Sequence, residues 1–234
     1  MERIPLLWIS VVAVIAVGCS KPESTNTSNS EPAARGAAVG TSGDGKNDGK
    51  TDADFVRDVT IMNMAEIELS RMAVDRATGP DVKTFAQKII DDHAAASEKL
   101  KTDVGASLGD WPAQLDDKHR KIVDDLKRKQ GAEFDLDYVK AMVDGHQDFT
   151  AKLESRLDLQ TLADWKTAAA ARAQSKALPD PKAEMPDVQI RPDKSGNAIS
   201  MKINQWAADT YPMAQKHLDT ARMLKEPTKK RSTN

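Results

Sequence analysis

Apolar residues recur every three or four positions along most of the chain after residue 52, the repeat of one helix face. The first stripe comprises Phe55, Val59, Met62, Glu66, Leu69 and Ala73, and the second comprises Val82, Phe85, Ala86, Ile89, His93, Ala96 and Leu100. Thr78-Gly79-Pro80-Asp81 separates the two stripes, and glycine commonly ends a helix whereas proline commonly opens one. The pattern therefore predicts two long helices joined by a tight turn.

Further helical patterns follow in the second half of the chain. A short helix is predicted over about residues 114–129 and a long one over about 133–158, with Gly131 as an interruption between them. The alanine-rich stretch 162–177 is helical by propensity, and a last helix is predicted over about 199–225. Pro212 lies inside that last helix and is expected to kink it, because the proline ring clashes with the carbonyl four residues earlier.

A proline-rich insert separates the last two helical patterns. Prolines at positions 179, 181, 186 and 192 forbid a regular helix through about residue 198. We expect a long surface loop at about residues 178–198, with a short extended piece at 188–190. The whole pattern predicts an all-α chain of four main helices with an extra short helix and this insert.

Composition excludes several classes of function. The formal net charge is -2, which gives no electrostatic signature for nucleic acid. The chain has one cysteine, so thiol exchange and cysteine-based zinc sites are not expected in the folded part. No serine elbow, strand framework or glycine-rich phosphate loop is present, so the sequence offers little support for a hydrolase or an oxidoreductase.

The first nineteen residues have the pattern of an export signal. Arg3 precedes an apolar run from about residue 4 to 17, which is too short to span a bilayer comfortably and ends in small residues before Cys19. A cysteine at this place resembles the bacterial lipobox, in which it is lipidated and becomes the first mature residue. Ser20 after it resembles lipoproteins sent to the outer membrane. We therefore expect a signal peptide at 1–18, a lipidated disordered linker at 19–51, a helical domain at 52–226 and a disordered tail at 227–234.

Four ionisable residues interrupt the apolar stripes, one on each long helix: Glu66, His93, His146 and His217. Glu66 and His93 each lie roughly 20 Å from the same turn at about 1.5 Å per residue, so they should face each other across an antiparallel pair. His146 and His217 lie at similar depths in their helices.

Two interpretations of these four residues remain open. They could be core groups that bind each other and water, or they could hold one zinc, copper or iron ion. Asp92 and Asp144, next to two of the histidines, are weak candidates for outer contacts, whereas His119 is expected to be structural or on the surface. Ile90, Val143 and Ala214 stand three residues before the histidines, so the Glu-x-x-His pairs of di-iron bundles are missing.

Several short segments carry a shared pattern: residues 65–73 (AEIELSRMA), 82–86 (VKTFA), 90–93 (IDDH), 131–135 (GAEFD) and the pairs Tyr211-Pro212 and His217-Leu218. These segments resemble the domain-of-unknown-function 4142 family. The resemblance implies a ferritin-like, antiparallel four-helix bundle of exported or outer-membrane proteins, with no established activity. It also implies that Glu66, His93, His146 and His217 are recurring positions. The long stretch from about 165 to 200 departs from the family.

The sequence thus predicts a lipid-anchored protein of the bacterial envelope, facing the periplasm, with a non-enzymatic structural or stress-related binding role. The alternative is a mononuclear metal-binding bundle that uses one glutamate and three histidines. The membrane is the expected partner, through the N-terminal lipid, and nucleic acid is not.

The anchor can be tested by replacing Cys19. Because the lipid would be attached to its sulfur, Cys19→Ala should block lipidation and move the protein from the membrane fraction to the soluble fraction. Fractionation followed by immunoblotting measures the two pools. An unchanged membrane pool in the variant would contradict the anchor.

Overall fold

The computed structural model describes residues 51–174 and 188–226. The predicted signal peptide, nearly all of the linker, the C-terminal tail and residues 178–187 of the insert lie outside the described residues. Six α-helices follow one another: α1 Asp52–Arg76, α2 Pro80–Val104, α3 Asp117–Lys127, α4 Gly131–Glu154, α5 Leu159–Gln174 and α6 Ala198–Lys225. No helix among these residues is long and apolar enough to cross a membrane.

Four of the helices form the bundle. α1 packs against α2 and α4. α6 lies diagonally opposite α1 and packs against the same two helices. Adjacent helices run antiparallel: Ser70 and Asp58 of α1 contact Tyr138 and Lys152 of α4, respectively. The expectation of an all-α bundle with an extra short helix is therefore confirmed. That short helix, α3, lies across the outside of α1 and α4.

Local sequence explains how the first two helices begin. Thr51 caps α1, since its side chain accepts a hydrogen bond from the Asp54 amide while the Asp54 carboxylate accepts one from the Thr51 amide. Pro80 stands at the start of α2, where its missing amide hydrogen costs nothing. The predicted turn at 77–79 is thus confirmed.

The limits of α4 differ from the prediction. The helix begins at Gly131, whose φ of 55° suits glycine, rather than after it. It ends at Glu154 because the backbone beyond it pairs with the end of the insert: the Asp158 amide donates to the Arg191 carbonyl, and the Asp193 amide donates to the Arg156 carbonyl. The expected extended piece at 188–190 forms no strand, and the single β-bridge in the described region joins Leu157 and Pro192.

The apolar interior consists of two clusters with a polar layer between them. One cluster surrounds Leu69, Ile89 and Met142 near the α1–α2 turn, and the other surrounds Leu100 and Trp206 at the opposite end. Buried polar side chains lie between the clusters, and they are Asn63, Glu66, His93, His146, Thr150 and His217. The bundle thus encloses a polar layer in an apolar surrounding, where unpaired polar atoms are costly.

Asp135 of α4 holds the α1–α2 turn in place. Its carboxylate accepts hydrogen bonds from the amides of Thr78 and Gly79 at 2.9 and 2.8 Å and from the Thr78 hydroxyl at 2.7 Å. Asp135→Ala should lower the free energy of unfolding by about 1.5–3 kcal/mol, because the variant loses charge-assisted bonds to the turn. Urea unfolding measures the change. Glu133→Ala, which removes an exposed carboxylate of the same helix that pairs with Lys129, is the control, and equal stabilities of the two variants would contradict this role.

Candidate metal centre

The polar layer brings the three predicted histidines together, one each from α2, α4 and α6. The ring centroids of His93, His146 and His217 lie 5.3 to 5.4 Å from one another. All three side chains are at most 2% exposed. Phe149 packs against His93 on one side of the layer, and Phe85 packs against His217 on the other. The three rings therefore lie in a dry, aromatic-walled centre.

One nitrogen of each ring is held by a hydrogen-bond acceptor. The Nδ1 of His93 contacts Asn63 Oδ1 at 2.9 Å, and the Nδ1 of His146 contacts the Met142 carbonyl at 3.0 Å. The Nε2 of His217 contacts Asp92 Oδ2 at 2.8 Å. The Asn63 amide is oriented in turn, because its Nδ2 donates to Ser97 Oγ at 3.0 Å. Each of these nitrogens carries the ring hydrogen, which fixes the tautomer of the ring.

The second nitrogen of each ring has no hydrogen-bond partner in the described structure. These atoms are Nε2 of His93, Nε2 of His146 and Nδ1 of His217. In their tautomers they are the bare, acceptor nitrogens, each with a lone pair. One ring nitrogen from each of the three histidines lies within 4.8 Å of those of the other two. Three clustered imidazoles, each held by an acceptor at one ring nitrogen and without a partner at the other, resemble the surrounding of a metal ion bound by histidines.

Glu66 lies beside the three histidines rather than among their bare nitrogens. Its two carboxylate oxygens are 3.2 Å from the Nδ1 atoms of His93 and His146, the nitrogens that carry hydrogen. Neither oxygen makes a hydrogen bond of good geometry. The structure therefore groups His93, His146 and His217 as the candidate ligand set and puts the Glu66 carboxylate on the outer side of two of the rings.

Burial governs the protonation of the centre. It lowers the pKa of His146 to about 3, assisted by the neighbouring His217, and holds the pKa of His93 well below its usual value. Burial also lowers the pKa of His217, against the opposing effect of Asp92. The pKa of Glu66 is raised well above its ordinary value by burial. The rings are thus neutral at pH 7, and the neutral imidazole is the form that binds metals.

Asp92 and Asp144, the two predicted outer carboxylates, have different surroundings. Asp92 binds His217, a residue of another helix, and not its sequence neighbour His93. Burial alone would raise the pKa of Asp92, but the hydrogen bonds from His217 and Lys88 outweigh burial and lower it. Asp144 is exposed and lines a cleft that reaches Glu66. His119 lies on α3 outside the centre, where it pairs with Asp116 at 2.6 Å.

Two contributing residues were missed by the sequence interpretation. Asn63 lies one turn before Glu66 and is 1% exposed, so a polar residue on the apolar stripe was the available signal. Gly145 precedes His146, and a Cβ atom there would approach Glu66 Oε1 to 2.9 Å. Glycine at this position makes room for the carboxylate between α1 and α4.

Comparison with known proteins supports the family and nothing finer. The sequence model of a family described as "Domain of unknown function (DUF4142)" matches residues 37–178, well over half of the chain, and so confirms the resemblance expected from the sequence. The expected likeness at 205–225 lies outside the matched residues. No curated protein and no solved structure matches the chain.

The buried histidines should make the stability of the metal-free protein depend on pH. The ordinary pKa of histidine is 6.5, so below pH 6.5 this side chain is protonated in the unfolded chain. In the folded protein the buried His146 ring, with a pKa of about 3, stays neutral. Each such ring should therefore lower the free energy of unfolding by up to about 1.4 kcal/mol per pH unit as the pH falls. Urea unfolding between pH 6.5 and 5 measures the slope. His146→Gln should reduce that slope by about one ring's share, and parallel curves for the two proteins would contradict the neutral state.

Proposed function

We propose that this protein, which belongs to the domain-of-unknown-function 4142 family, binds one divalent transition-metal ion through His93, His146 and His217. The observation that carries the proposal is the buried cluster of three histidines: one ring nitrogen of each lies within 4.8 Å of those of the other two, and each ring has one nitrogen without a hydrogen-bond partner in the described structure. Of the two interpretations left open by the sequence, the geometry favours the metal-binding bundle over a core of polar groups that bind one another and water.

A purely structural polar core would pair its own groups. Here the three bare nitrogens and both oxygens of Glu66 lack hydrogen-bond partners in the described structure. Each unsatisfied buried group costs about 1–3 kcal/mol. Three imidazole nitrogens cannot satisfy one another, because all three are acceptors in their present tautomers. A cation satisfies them together, since it accepts all three lone pairs.

Charge and ligand chemistry narrow the choice of ion. Neutral imidazoles suit zinc, copper and iron, and hard cations such as calcium prefer oxygen ligands. A tetrahedral zinc ion with bonds of about 2.0–2.1 Å would hold the three nitrogens about 3.3 Å apart, so the rings would move together from separations of up to 4.8 Å. The Asp92 carboxylate, whose pKa is lowered by its hydrogen bonds, lies next to the ring N–H of His217 and supplies a negative charge that partly balances a divalent ion.

From the N-terminal segment we also propose a location in the cell: the bundle is tethered to the bacterial envelope by a lipid on Cys19. The arrangement of Arg3, the apolar run and Cys19 supports it. With about thirty polar residues between Cys19 and α1, the bundle would be held near the bilayer surface. A structural or stress-related role in the envelope is compatible with a metal-binding bundle.

Metal binding can be tested on the purified full-length chain. Elemental analysis after incubation with Zn²⁺, Cu²⁺ or Fe²⁺ should find one ion per chain that survives gel filtration. At a free ion concentration of about 100 times Kd the native state gains about 2.7 kcal/mol. For a protein of this size that gain corresponds to a rise in Tm of about 5–10 °C.

Matched variants locate the ion. His93→Gln and His146→Gln keep an apolar stem of similar size but remove a ligand nitrogen, so both should lose the ion and the rise in Tm. His119→Gln, the remaining histidine of the chain, should keep both. A wild-type protein that takes up none of the three ions, and whose Tm none of them changes, would refute the proposal.

A further inference from the structure

A cleft in the side of the bundle reaches Glu66, which lies beside the three histidines. It has a volume of about 380 Å³ and lies between α1, α3 and α4, within the range of volumes typical of small-ligand sites. Apolar side chains such as Leu69, Ile122 and Leu126 form part of its wall, and Glu66 and Gly145 contribute to its inner surface. The cleft therefore joins the surface between α1, α3 and α4 to Glu66, a residue of the polar layer.

Glu66 connects the cleft to the histidines. Its side chain is 5% exposed, and its oxygens lie 3.2 Å from ring nitrogens of His93 and His146. Both oxygens are buried and lack hydrogen-bond partners. A carboxyl group that lines a cleft, and whose oxygens make no hydrogen bond of good geometry, can bind a cation that comes through the cleft when it releases its proton.

The mouth of the cleft also favours cations. Asp144 and Asp148 line it, and Lys118 pairs with Asp148 at 2.9 Å, which leaves the Asp144 carboxylate to face the cleft. Lys140 opposes this charge from the same helix. The described cleft carries more acidic than basic side chains, and a low-dielectric wall focuses the field of such charges on an approaching ion.

Gly145 keeps the inner end of the cleft open. Since a Cβ atom at this position would lie 2.9 Å from Glu66 Oε1, any side chain would displace the carboxylate or cover it. The α4 backbone passes close to Glu66 only because this residue has no side chain. Gly145 directly precedes His146 on α4, so an ion that moves from Glu66 to His146 passes beside Gly145.

We propose that this cleft is the access route of the metal ion, and that Glu66 is its first, transient ligand before the ion reaches the three histidines. The inference rests on the proposed function. It assigns Glu66 a role in the rate of exchange rather than in the final coordination, which explains why the carboxylate lies next to the hydrogen-bearing nitrogens.

The test measures rates and affinity separately, with Zn²⁺ as the probe. Uptake by metal-free protein is followed by competition with a chromophoric chelator, and release is followed after an excess of that chelator is added. Gly145→Ala and Glu66→Gln should slow uptake and release by the same factor, about tenfold or more, and leave Kd and the one-ion stoichiometry unchanged. Asp144→Asn should slow uptake by a smaller factor that disappears at high salt, because its effect is long-range attraction.

Two controls match these variants. Gly196→Ala adds a methyl group where no atom lies within 4 Å, and Asp209→Asn removes an exposed carboxylate of α6 outside the cleft. Both should exchange zinc at the wild-type rates.

Each other outcome has a definite meaning. If the wild-type protein binds no zinc, copper or iron, the proposed function itself fails. If it binds zinc and the Gly145 and Glu66 variants exchange it at wild-type rates, the access route is wrong and the metal centre stands. If Glu66→Gln abolishes binding at equilibrium, Glu66 is a resident ligand, as the sequence suggested, and the transient role is overturned.

Discussion

The bundle depends on how it accommodates three neutral imidazoles and a carboxylate in an apolar interior. Burial removes the water that would hydrate these groups, and the protein replaces only some of the lost hydrogen bonds. Each ring has one acceptor, and these are Asn63, the Met142 carbonyl and Asp92. The second nitrogen of each ring has no hydrogen-bond partner in the described structure. Such an arrangement is unfavourable for a protein that holds nothing there, and it is favourable around a cation. The proposed function follows from this imbalance rather than from any one residue.

Much of the fold was accessible from the sequence because periodicity and helix-ending residues act locally. The Gly79-Pro80 turn fixed the register of α1 against α2, so the meeting of Glu66 with His93 followed from counting residues. The end of α4 was not accessible, because the backbone after Glu154 pairs with residues 191–193, far along the chain. Local propensity carries no signal of such a contact.

The candidate site was predictable as a set of residues but not as an arrangement of atoms. Which nitrogen of each ring is bare depends on acceptors from other turns and helices, such as Asn63 and Asp92. Asp92 shows why the atomic arrangement could not be predicted. It is next to His93 in the sequence, but its carboxylate contacts His217 of another helix. Successive helix positions are rotated by about 100°, so sequence neighbours face different partners. The position of Glu66 relative to the rings was likewise decided by packing around Gly145.

The division of the apolar interior has a consequence for how the molecule comes apart. Leu69 and Met142 belong to one apolar cluster, and Leu100 and Trp206 belong to the other. A layer of polar groups lies between the two clusters. Because this layer separates the two apolar clusters, the helices that run through it carry much of the coupling between the two ends. A single ion that ties α2, α4 and α6 at mid-height would make them melt together. Occupancy would then determine whether the bundle behaves as one cooperative unit or as two.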